Sequence, residues 1–169
     1  MAHSAKYTYG LEKIEFAPIL GDGGIGTTWT QYGLTAEDTF SMAEEDPTTT
    51  DLYVEESDTP VVSIVKEGKT TITFNIADPD IETLYNLKGG TTSGSAPNRI
   101  WEKADTLPTL ELSVKITPKE GFTAIRIPRA SVSAKLNSTL SKKTLLVLEV
   151  TCTILTPTKS GTKSIYIDE

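Results

Sequence analysis

Alternation of apolar and polar residues in the second half of the chain predicts three β-strands. The segments are 110–116 (LELSVKI), 130–136 (ASVSAKL) and 144–155 (TLLVLEVTCTIL). Every second residue in each is apolar, as in a strand that buries one face. The third segment is about a dozen residues, or roughly 40 Å at the rise of a strand, which is longer than most strands. The predicted buried side chains are Leu110, Leu112, Val114, Ile116, Ala130, Val132, Ala134, Leu136, Leu146, Leu148, Val150, Cys152 and Ile154.

The first half of the chain predicts further strands and turns. Residues 61–77 (VVSIVKEGKTTITFNIA) read as a hairpin around Glu67 and Gly68, with glycine where a positive φ is needed. Residues 13–19 and 26–35 read as strands joined by the glycine cluster GDGGIG. That cluster has neither the Lys of a Walker loop nor a helical pattern after it, so we interpret it as a turn. Ile72, Phe74 and Ile76 form the buried face of the hairpin's second strand.

One helix is predicted at about residues 79–88, within DPDIETLYNLKGG. Asp78 is the expected N-cap, Pro79 the first helical residue, and the glycines after Lys88 the stop. Ile81, Leu84 and Tyr85 share the stripe expected to face a sheet. The following loop, about residues 89–108, has no clear periodicity, and Trp101 in its middle is expected to anchor it on its own domain or on a neighbour.

An acidic segment interrupts these strands at residues 43–58 (AEEDPTTTDLYVEESD), which hold seven carboxylates and no base. Pro47 and the threonines are expected to close a hairpin, which gives an extended arm over about residues 39–58. This acidity is typical either of solvated surface or of a part that faces the basic part of another copy. The seven acids are Glu44, Glu45, Asp46, Asp51, Glu55, Glu56 and Asp58.

Charge is unequal along the chain. Residues 14–65 contain eleven acids and no Lys or Arg, while the rest of the chain has 23 − 11 = 12 acids against 16 bases, so the net charge is −7. No apolar run approaches the ~20 residues that span a bilayer, and MAHSAKYTYG lacks the apolar core of a secretory signal. We therefore expect a protein that is not exported and has no membrane partner.

The chain has 169 residues and a mass of 18.3 kDa, and its length and pattern together predict one mainly β domain over residues 1–169. The expected fold is two packed antiparallel sheets, sandwich-like or barrel-like. One helix flanks the sheets, and the acidic hairpin arm extends from them.

Catalytic chemistry finds little support in the composition. His3 is the only histidine and Cys152 the only cysteine, so neither a Ser-His-Asp nor a Cys-His arrangement is expected. The acidic segment lacks the spacing of an EF-hand loop. We therefore expect no enzyme activity, no metal and no cofactor. Trp29, Tyr32 and Trp101 are scattered and form no evident sugar-binding row.

The order of these segments resembles the tail tube, or major tail, proteins of tailed bacteriophages. The resemblance covers most of the chain, and its most distinctive part is TPVVSIVKEGKTTITFNIADPDIETLYNLKGG at residues 59–90. A loop follows, and then GFTAIRIPRASVSAKL and LLVLEVTCTIL. The tube protein of type VI secretion is similar in fold to this family.

The resemblance implies a subunit of hexameric rings that stack into a hollow tube for the genome, in a virion tail assembled in the host cytoplasm. The implied partners are other copies of the chain, the tape measure, terminator and baseplate proteins, and DNA that passes without specific binding. Carboxylates and hydroxyls suit such a channel because they avoid the phosphate contacts that Lys and Arg make.

The resemblance also implies that the acidic arm contacts adjacent subunits. Its candidate basic counterparts are Arg126, Arg129, Lys142 and Lys143. Two alternatives stay open. One is a tail terminator or adaptor that shares the fold without polymerising, and the other is a carbohydrate-binding β-sandwich.

Overall fold

The computed structural model describes residues 7–137 and 139–169, in which eleven strands and one helix are formed. His3 lies outside the described residues. The helix α1 (Ile81–Lys88) follows the fifth strand. The strands are β1 (Tyr9–Pro18), β2 (Ser41–Glu44), β3 (Thr48–Val54), β4 (Ser57–Lys66), β5 (Thr70–Ile76), β6 (Thr91–Ser93), β7 (Ile100–Glu102), β8 (Leu110–Glu120), β9 (Ala124–Leu136), β10 (Leu148–Ile154) and β11 (Tyr166–Asp168).

The main sheet is antiparallel and curls into a half-barrel. Its order is β1-β8-β9-β10-β5-β2, and β11 pairs with β9. In a flat sheet β1 and β5 would be about 19 Å apart, since neighbouring strands are ~4.8 Å apart. Instead, the ring centroids of Phe16 on β1 and Phe74 on β5 are 6.2 Å apart. The predicted mainly β, sandwich-like or barrel-like fold with one flanking helix is confirmed.

The segment after β1 closes the gap between β1 and β5. Thr30 and Phe16 exchange two backbone hydrogen bonds of 2.8 Å, and Ala36 then donates to Asn75 of β5 over 2.7 Å. Because these bonds go to two different strands, residues 26–35 form isolated bridges, and the prediction of a strand there was wrong. The turn predicted at GDGGIG is present, with the Gly23 N–H donating to Leu20 O over 2.8 Å.

The core lies inside the curl. Most of the predicted inward side chains of the three alternating segments are buried, but Leu136 and Leu146 are 42% and 40% exposed. β10 begins only at Leu148, so the predicted strand over 144–155 was too long. The core residues are Ile14, Phe16, Ile72, Phe74, Ile76, Leu87, Val114, Ile116, Ile127, Ala130, Val132, Ala134, Leu148, Val150 and Cys152.

The prediction of a hairpin around Glu67 and Gly68 was wrong. β5 pairs with β10 on one side and β2 on the other, while β4 pairs with β3. Gly68 does not have a positive φ. Glycine is needed at position 68 because a Cβ there would lie 1.9 Å from the carbonyl oxygen of Glu45.

The helix begins two residues later than predicted. Asp80 is its N-cap, accepting the Thr83 N–H over 2.7 Å, whereas Asp78 accepts the Leu34 N–H. Gly89 ends the helix as predicted, with φ 78° and its N–H donating to Tyr85 O over 3.2 Å.

The buried face of the helix also differs from the predicted stripe. Thr83 and Leu87 are buried, whereas Tyr85 is 46% exposed. Leu84 packs against the core and is partly buried. The Lys88 ammonium donates to Ala134 O of β9 over 2.8 Å, so the helix is fixed to the strand that it flanks.

Replacing the cap with alanine should destabilise the protein. Asp80→Ala should cost about 1 kcal/mol, because the Thr83 N–H loses its acceptor. The Thr83 N–H bond lowers the pKa of Asp80 against the opposing effect of burial. Its stabilisation is therefore complete above the ordinary Asp pKa and lost as pH falls through the lowered one. Urea unfolding at neutral and acidic pH measures both effects.

Asp80→Asn is the matched control, since asparagine also caps helices but does not titrate. It should keep most of the stability at neutral pH and remove this acid dependence. Equal stability of Asp80→Ala and the unchanged protein would contradict the assigned cap.

The loop predicted over residues 89–108 contains its own small sheet, in which β6 pairs with β7. Trp101 lies on β7 and donates its indole N–H to Gly89 O over 2.8 Å. The structure thus places this tryptophan against the end of its own helix.

Ser113 was predicted on the polar face of its strand, but it is fully buried, since the segment after β1 lies against that face at Gly26. Its hydroxyl accepts the Gly26 N–H over 2.9 Å and donates to Pro128 O over 2.7 Å. The hydroxyl therefore ties the segment after β1 to β9.

Ser113→Ala should lower the free energy of unfolding by about 1–3 kcal/mol, since it leaves a buried N–H without its acceptor. Chemical denaturation measures this loss. Ser133→Ala is the matched control, because Ser133 is exposed on the same sheet and should change stability by no more than about 0.5 kcal/mol. Equal effects of the two substitutions would contradict the bridging role.

Candidate assembly surfaces

The hairpin of β3 and β4, residues 48–66, projects from the main sheet, and we call it the arm. Its pairing runs from Thr48 with Lys66 to Val54 with Ser57, so its turn lies at Glu55 and Glu56. Among the described strands, β3 and β4 pair only with each other. The predicted hairpin over 39–58 with a turn near Pro47 was wrong, because β2 pairs with β5 in the main sheet.

Apolar side chains cover both faces of the arm. Leu52 pairs with Val62 on one face, and Ile64 lies on that face too. Val61 and Val65 alternate with them and lie on the other face, and each of these five side chains is between 47% and 63% exposed. Strands that are apolar on both faces are normally covered on both sides. The arm therefore presents two apolar surfaces that its own subunit leaves open.

The predicted acidic residues divide between the arm and its base, and all seven are exposed. Asp51 accepts a hydrogen bond from the Ser63 hydroxyl across the two strands over 2.6 Å. The acids of the tip are Glu55, Glu56 and Asp58. The acids of the base are Glu44, Glu45 and Asp46, which lie where the chain leaves β2.

The two predicted basic counterparts on β9 already have partners inside the subunit. Arg126 makes two bonds to Asp168, of 2.6 and 2.7 Å. Arg129 makes two bonds of 2.8 Å to Glu111. These hydrogen bonds raise the pKa of both arginines and hold their charge in local pairs. They are therefore poor partners for an acid of another copy.

The other two predicted counterparts lie on a protruding loop between β9 and β10, residues 139–147, which we call the basic loop. Lys142 and Lys143 are both exposed there. Leu140 and Leu146 on the same loop are 75% and 40% exposed. The basic loop thus combines apolar and cationic groups, whereas the arm combines apolar and anionic groups.

The outward face of β9, β10, β5 and β2 is lined by hydroxyls, and we call it the hydroxyl face. Backbone register places Ser133, Thr151, Thr73 and Ser41 in one row across the four strands. A second row holds Ser131, Thr153 and Thr71. These side chains alternate with the buried core positions.

Two carboxylates beside the hydroxyl face are paired with basic side chains. Glu149 lies 2.8 Å from Lys135, whose hydrogen bond lowers the pKa of the carboxyl. Glu111 is held by Arg129, and its pKa is lowered in the same way. Lys88 and Lys103 line the same surface next to Ser133 and Thr151, so paired and cationic groups both lie there.

The outward side of β1 and β8 differs from the hydroxyl face. Glu15 lies between Lys13 and Lys115, at 3.3 and 2.9 Å, and Lys115 lies over the Trp29 ring at 5.0 Å. Burial alone would raise the pKa of Glu15, but the two lysines outweigh it and the pKa is lowered. This side is a charged and aromatic cluster with an excess of one cation.

The three aromatic candidates for a sugar platform are separated. Trp29 contacts Lys115, Tyr32 packs against Phe16 at 6.1 Å, and Trp101 is bonded to the helix end. They form no common stacking surface. The carbohydrate-binding alternative therefore gains no support from their placement.

Residues 7–137 and 139–169 offer few groups for metal binding or thiol reactions. No group of three or more His, Cys, Asp or Glu side chains there could hold a metal ion. Cys152 is buried as predicted, and burial raises its pKa to about 12. None of the helices in this part of the chain has the length and apolar character to cross a membrane.

Sequence reasoning missed the apolar faces of the arm. The signal was present in Val61-Val62-Ser63-Ile64-Val65, which is apolar at both odd and even positions. Such a run indicates a strand covered on both sides.

Two comparisons with known proteins bear on this surface. A family model described as phage tail tube protein matches residues 21–167. The chain is also similar to the type II secretion system ATPase E of Vibrio cholerae serotype O1, with 24% identity over 119 residues. That match covers 63% of this chain and 24% of the ATPase, so the chain spans about a quarter of that protein's length.

Proposed function

This chain belongs to the phage tail tube protein family, and on that premise we propose that its subunits form hexameric rings that stack into a hollow tube for the genome. As a member of the family, it is a structural protein of the virion tail. The proposed assembly takes place in the host cytoplasm, with the tape measure, terminator and baseplate proteins as further partners.

The observation that carries the proposal is the arm, which is apolar on both faces and open on both. One neighbour can cover one face only. A subunit with neighbours both within its ring and in the adjacent ring can have both faces covered. Each Val, Leu or Ile side chain fully buried in this way contributes about 1.5–3 kcal/mol.

The basic loop is the proposed partner of the arm tip. Glu55, Glu56 and Asp58 at the tip match the charges of Lys142 and Lys143, and both segments expose apolar side chains. Opposite charges of this kind fix register and partner choice more than they add affinity. The arginines of β9 are poorer candidates, because each is already paired with a carboxylate of its own subunit.

Negative-stain electron microscopy of the purified full chain tests the proposal. Tubes of stacked rings are the expected result. Closed rings that do not stack at any concentration would favour the terminator or adaptor alternative. A protein that remains monomeric at high concentration and after addition of preformed tube ends would contradict self-assembly.

Charge exchange tests the contact between the tip and the basic loop. Glu55→Lys, Glu56→Lys and Asp58→Lys together should block tubes, because the tip would then face the lysines of the basic loop with like charge. Adding Lys142→Glu and Lys143→Glu should restore them. Sedimentation of assembled material measures both variants.

The base acids give the matched control for this exchange. Reversal of Glu44, Glu45 and Asp46 makes the same change in net charge, but the basic-loop reversal should not rescue whatever assembly defect it causes. Rescue of both triple variants to the same degree would show a net-charge effect and contradict the proposed contact.

A further inference from the structure

A cleft of about 370 Å³ lies where the loop before β8 approaches the end of β9, and we call it the lysine cleft. Helix α1 contributes Lys88 to its wall, and the loop after β7 contributes Lys103 and Leu107. Outward side chains of β9 and β10 form the other wall, where Lys135 and Glu149 are paired at 2.8 Å. The contacts proposed above for the arm and the basic loop do not use this cleft.

The two other lysines of the cleft lack a carboxylate partner. Lys88 donates to the neutral carbonyl oxygen of Ala134 over 2.8 Å, and Lys103 is exposed. Burial and the nearby charge of Lys103 lower the pKa of Lys88. Asp105 also lines the cleft, but the described residues include no ion pair between it and either lysine. The cleft therefore carries one positive charge in excess.

The lysine cleft lies on one flank of the main sheet. β8 begins at Leu110, opposite Val132, so Ala134 of β9 lies beyond the end of β8. The part of the sheet made of β9, β10, β5 and β2 is thus bordered by the cleft on one side and by β2 on the other. A ring of identical subunits joins two different surfaces of each copy head to tail. Two opposite flanks of one sheet are suited to such a contact.

The flank beside β2 is acidic. The three base acids are exposed there, and in residues 7–137 and 139–169 none of them forms an ion pair. The chain returns past them with Lys66, Glu67 and Lys69, and the Glu45 N–H donates to Lys69 O over 2.9 Å. Four acids and two bases give this flank a net charge of −2.

We propose that the lysine cleft receives the base acids of the next copy in the same ring. This inference rests on the proposed function and adds a second contact to the one between the arm tip and the basic loop. A carboxylate between Lys88 and Lys103 offsets the repulsion of two like charges. Each flank also offers an apolar side chain, since Leu107 of the cleft is 73% exposed and Met42 of β2 is 38% exposed.

Chemical cross-linking of assembled tubes tests the contact. Glu45→Cys and Lys103→Cys in one chain put a thiol on each flank, both at exposed positions. A short bismaleimide should join neighbouring subunits into a ladder that ends at six on a denaturing gel, and unassembled subunits should stay monomeric. The buried Cys152, with its raised pKa, should give little background.

The matched control moves one thiol from the base to the tip of the arm. Glu56→Cys with Lys103→Cys should give no ladder, because the tip contacts the basic loop instead. Equal ladders from the two pairs would overturn the proposal, and so would tubes of the first pair that give no ladder. A ladder that continues beyond six would overturn it in favour of a contact between rings.

Charge reversal tests the same contact without added thiols. Lys103→Glu should raise the concentration needed for assembly about tenfold or more, because the cleft then repels the base acids. Adding Glu45→Lys should return that concentration to within about threefold of the unmodified protein. Lys119→Glu makes the same change in net charge on the exposed end of β8, and it should have a smaller effect that Glu45→Lys does not correct. Equal effects of Lys103→Glu and Lys119→Glu would contradict the assigned contact.

These outcomes separate the inference from the proposed function. Absence of tubes from the unmodified protein contradicts the proposed function, and the contact at the lysine cleft falls with it. Tubes that form from the unmodified protein, with no ladder between positions 45 and 103, contradict only this contact.

Discussion

Threonine in place of Leu52, Val62 and Ile64 is expected to abolish tube formation and leave the isolated subunit folded. The three side chains share one face of the arm and are about half exposed in the subunit. Threonine keeps the strand preference of the hairpin but removes apolar surface that a neighbour would bury. At about 1–2 kcal/mol for each side chain, the concentration needed for assembly should rise roughly a hundredfold or more.

Sedimentation across a concentration series measures this change, and thermal unfolding of the monomer reports the fold. The melting temperature should change little, because these side chains support no core contact in the subunit. The opposite face of the arm gives a second test variant, Val61→Thr with Val65→Thr, which should also impair assembly. Assembly at an unchanged concentration in both variants would contradict the role assigned to the arm.

The arm also shows where prediction from the sequence ended. Alternation identifies strands that bury one face in their own subunit, and it located the core positions of β5, β8, β9 and β10. It does not identify the partner strand. Residues 61–66 were joined to β5 because Glu67 and Gly68 between the two runs are typical of a hairpin turn, but both edges of β5 are taken by β10 and β2.

Where two nearby residues suit the same role, the sequence does not show which one a distant part of the chain engages. Asp78 and Asp80 both suit an N-cap, and the choice depends on the distant Leu34, whose N–H engages Asp78. Ser113 was placed outside because alternation does not show which distant segment covers the second face of a strand, here the one at Gly26. The sequence also did not separate the paired arginines from the exposed lysines among the candidate basic residues. The carboxylates that pair with Arg126 and Arg129 come from other strands, β11 and β8.

Phe74→Ala is expected to destabilise the subunit itself by about 3–5 kcal/mol. Phe74 is 2% exposed, and its ring lies 6.2 Å from that of Phe16 across the curl of the sheet. Removing the ring leaves a cavity between β5 and β1, where no neighbouring strand can move in to fill it. For a chain of 169 residues, the melting temperature should fall by roughly 6–20 °C.

Thr73→Ala, one residue earlier on the hydroxyl face, is the control and should change stability by no more than about 0.5 kcal/mol. Phe16→Ala completes a double-mutant cycle whose coupling should be about 0.5–1.5 kcal/mol for two contacting rings. Additive losses would mean that the rings do not meet, and the half-barrel would then be open between β1 and β5. A measured coupling would show that β1 and β5 are already in contact in the isolated subunit, before any neighbour covers the arm.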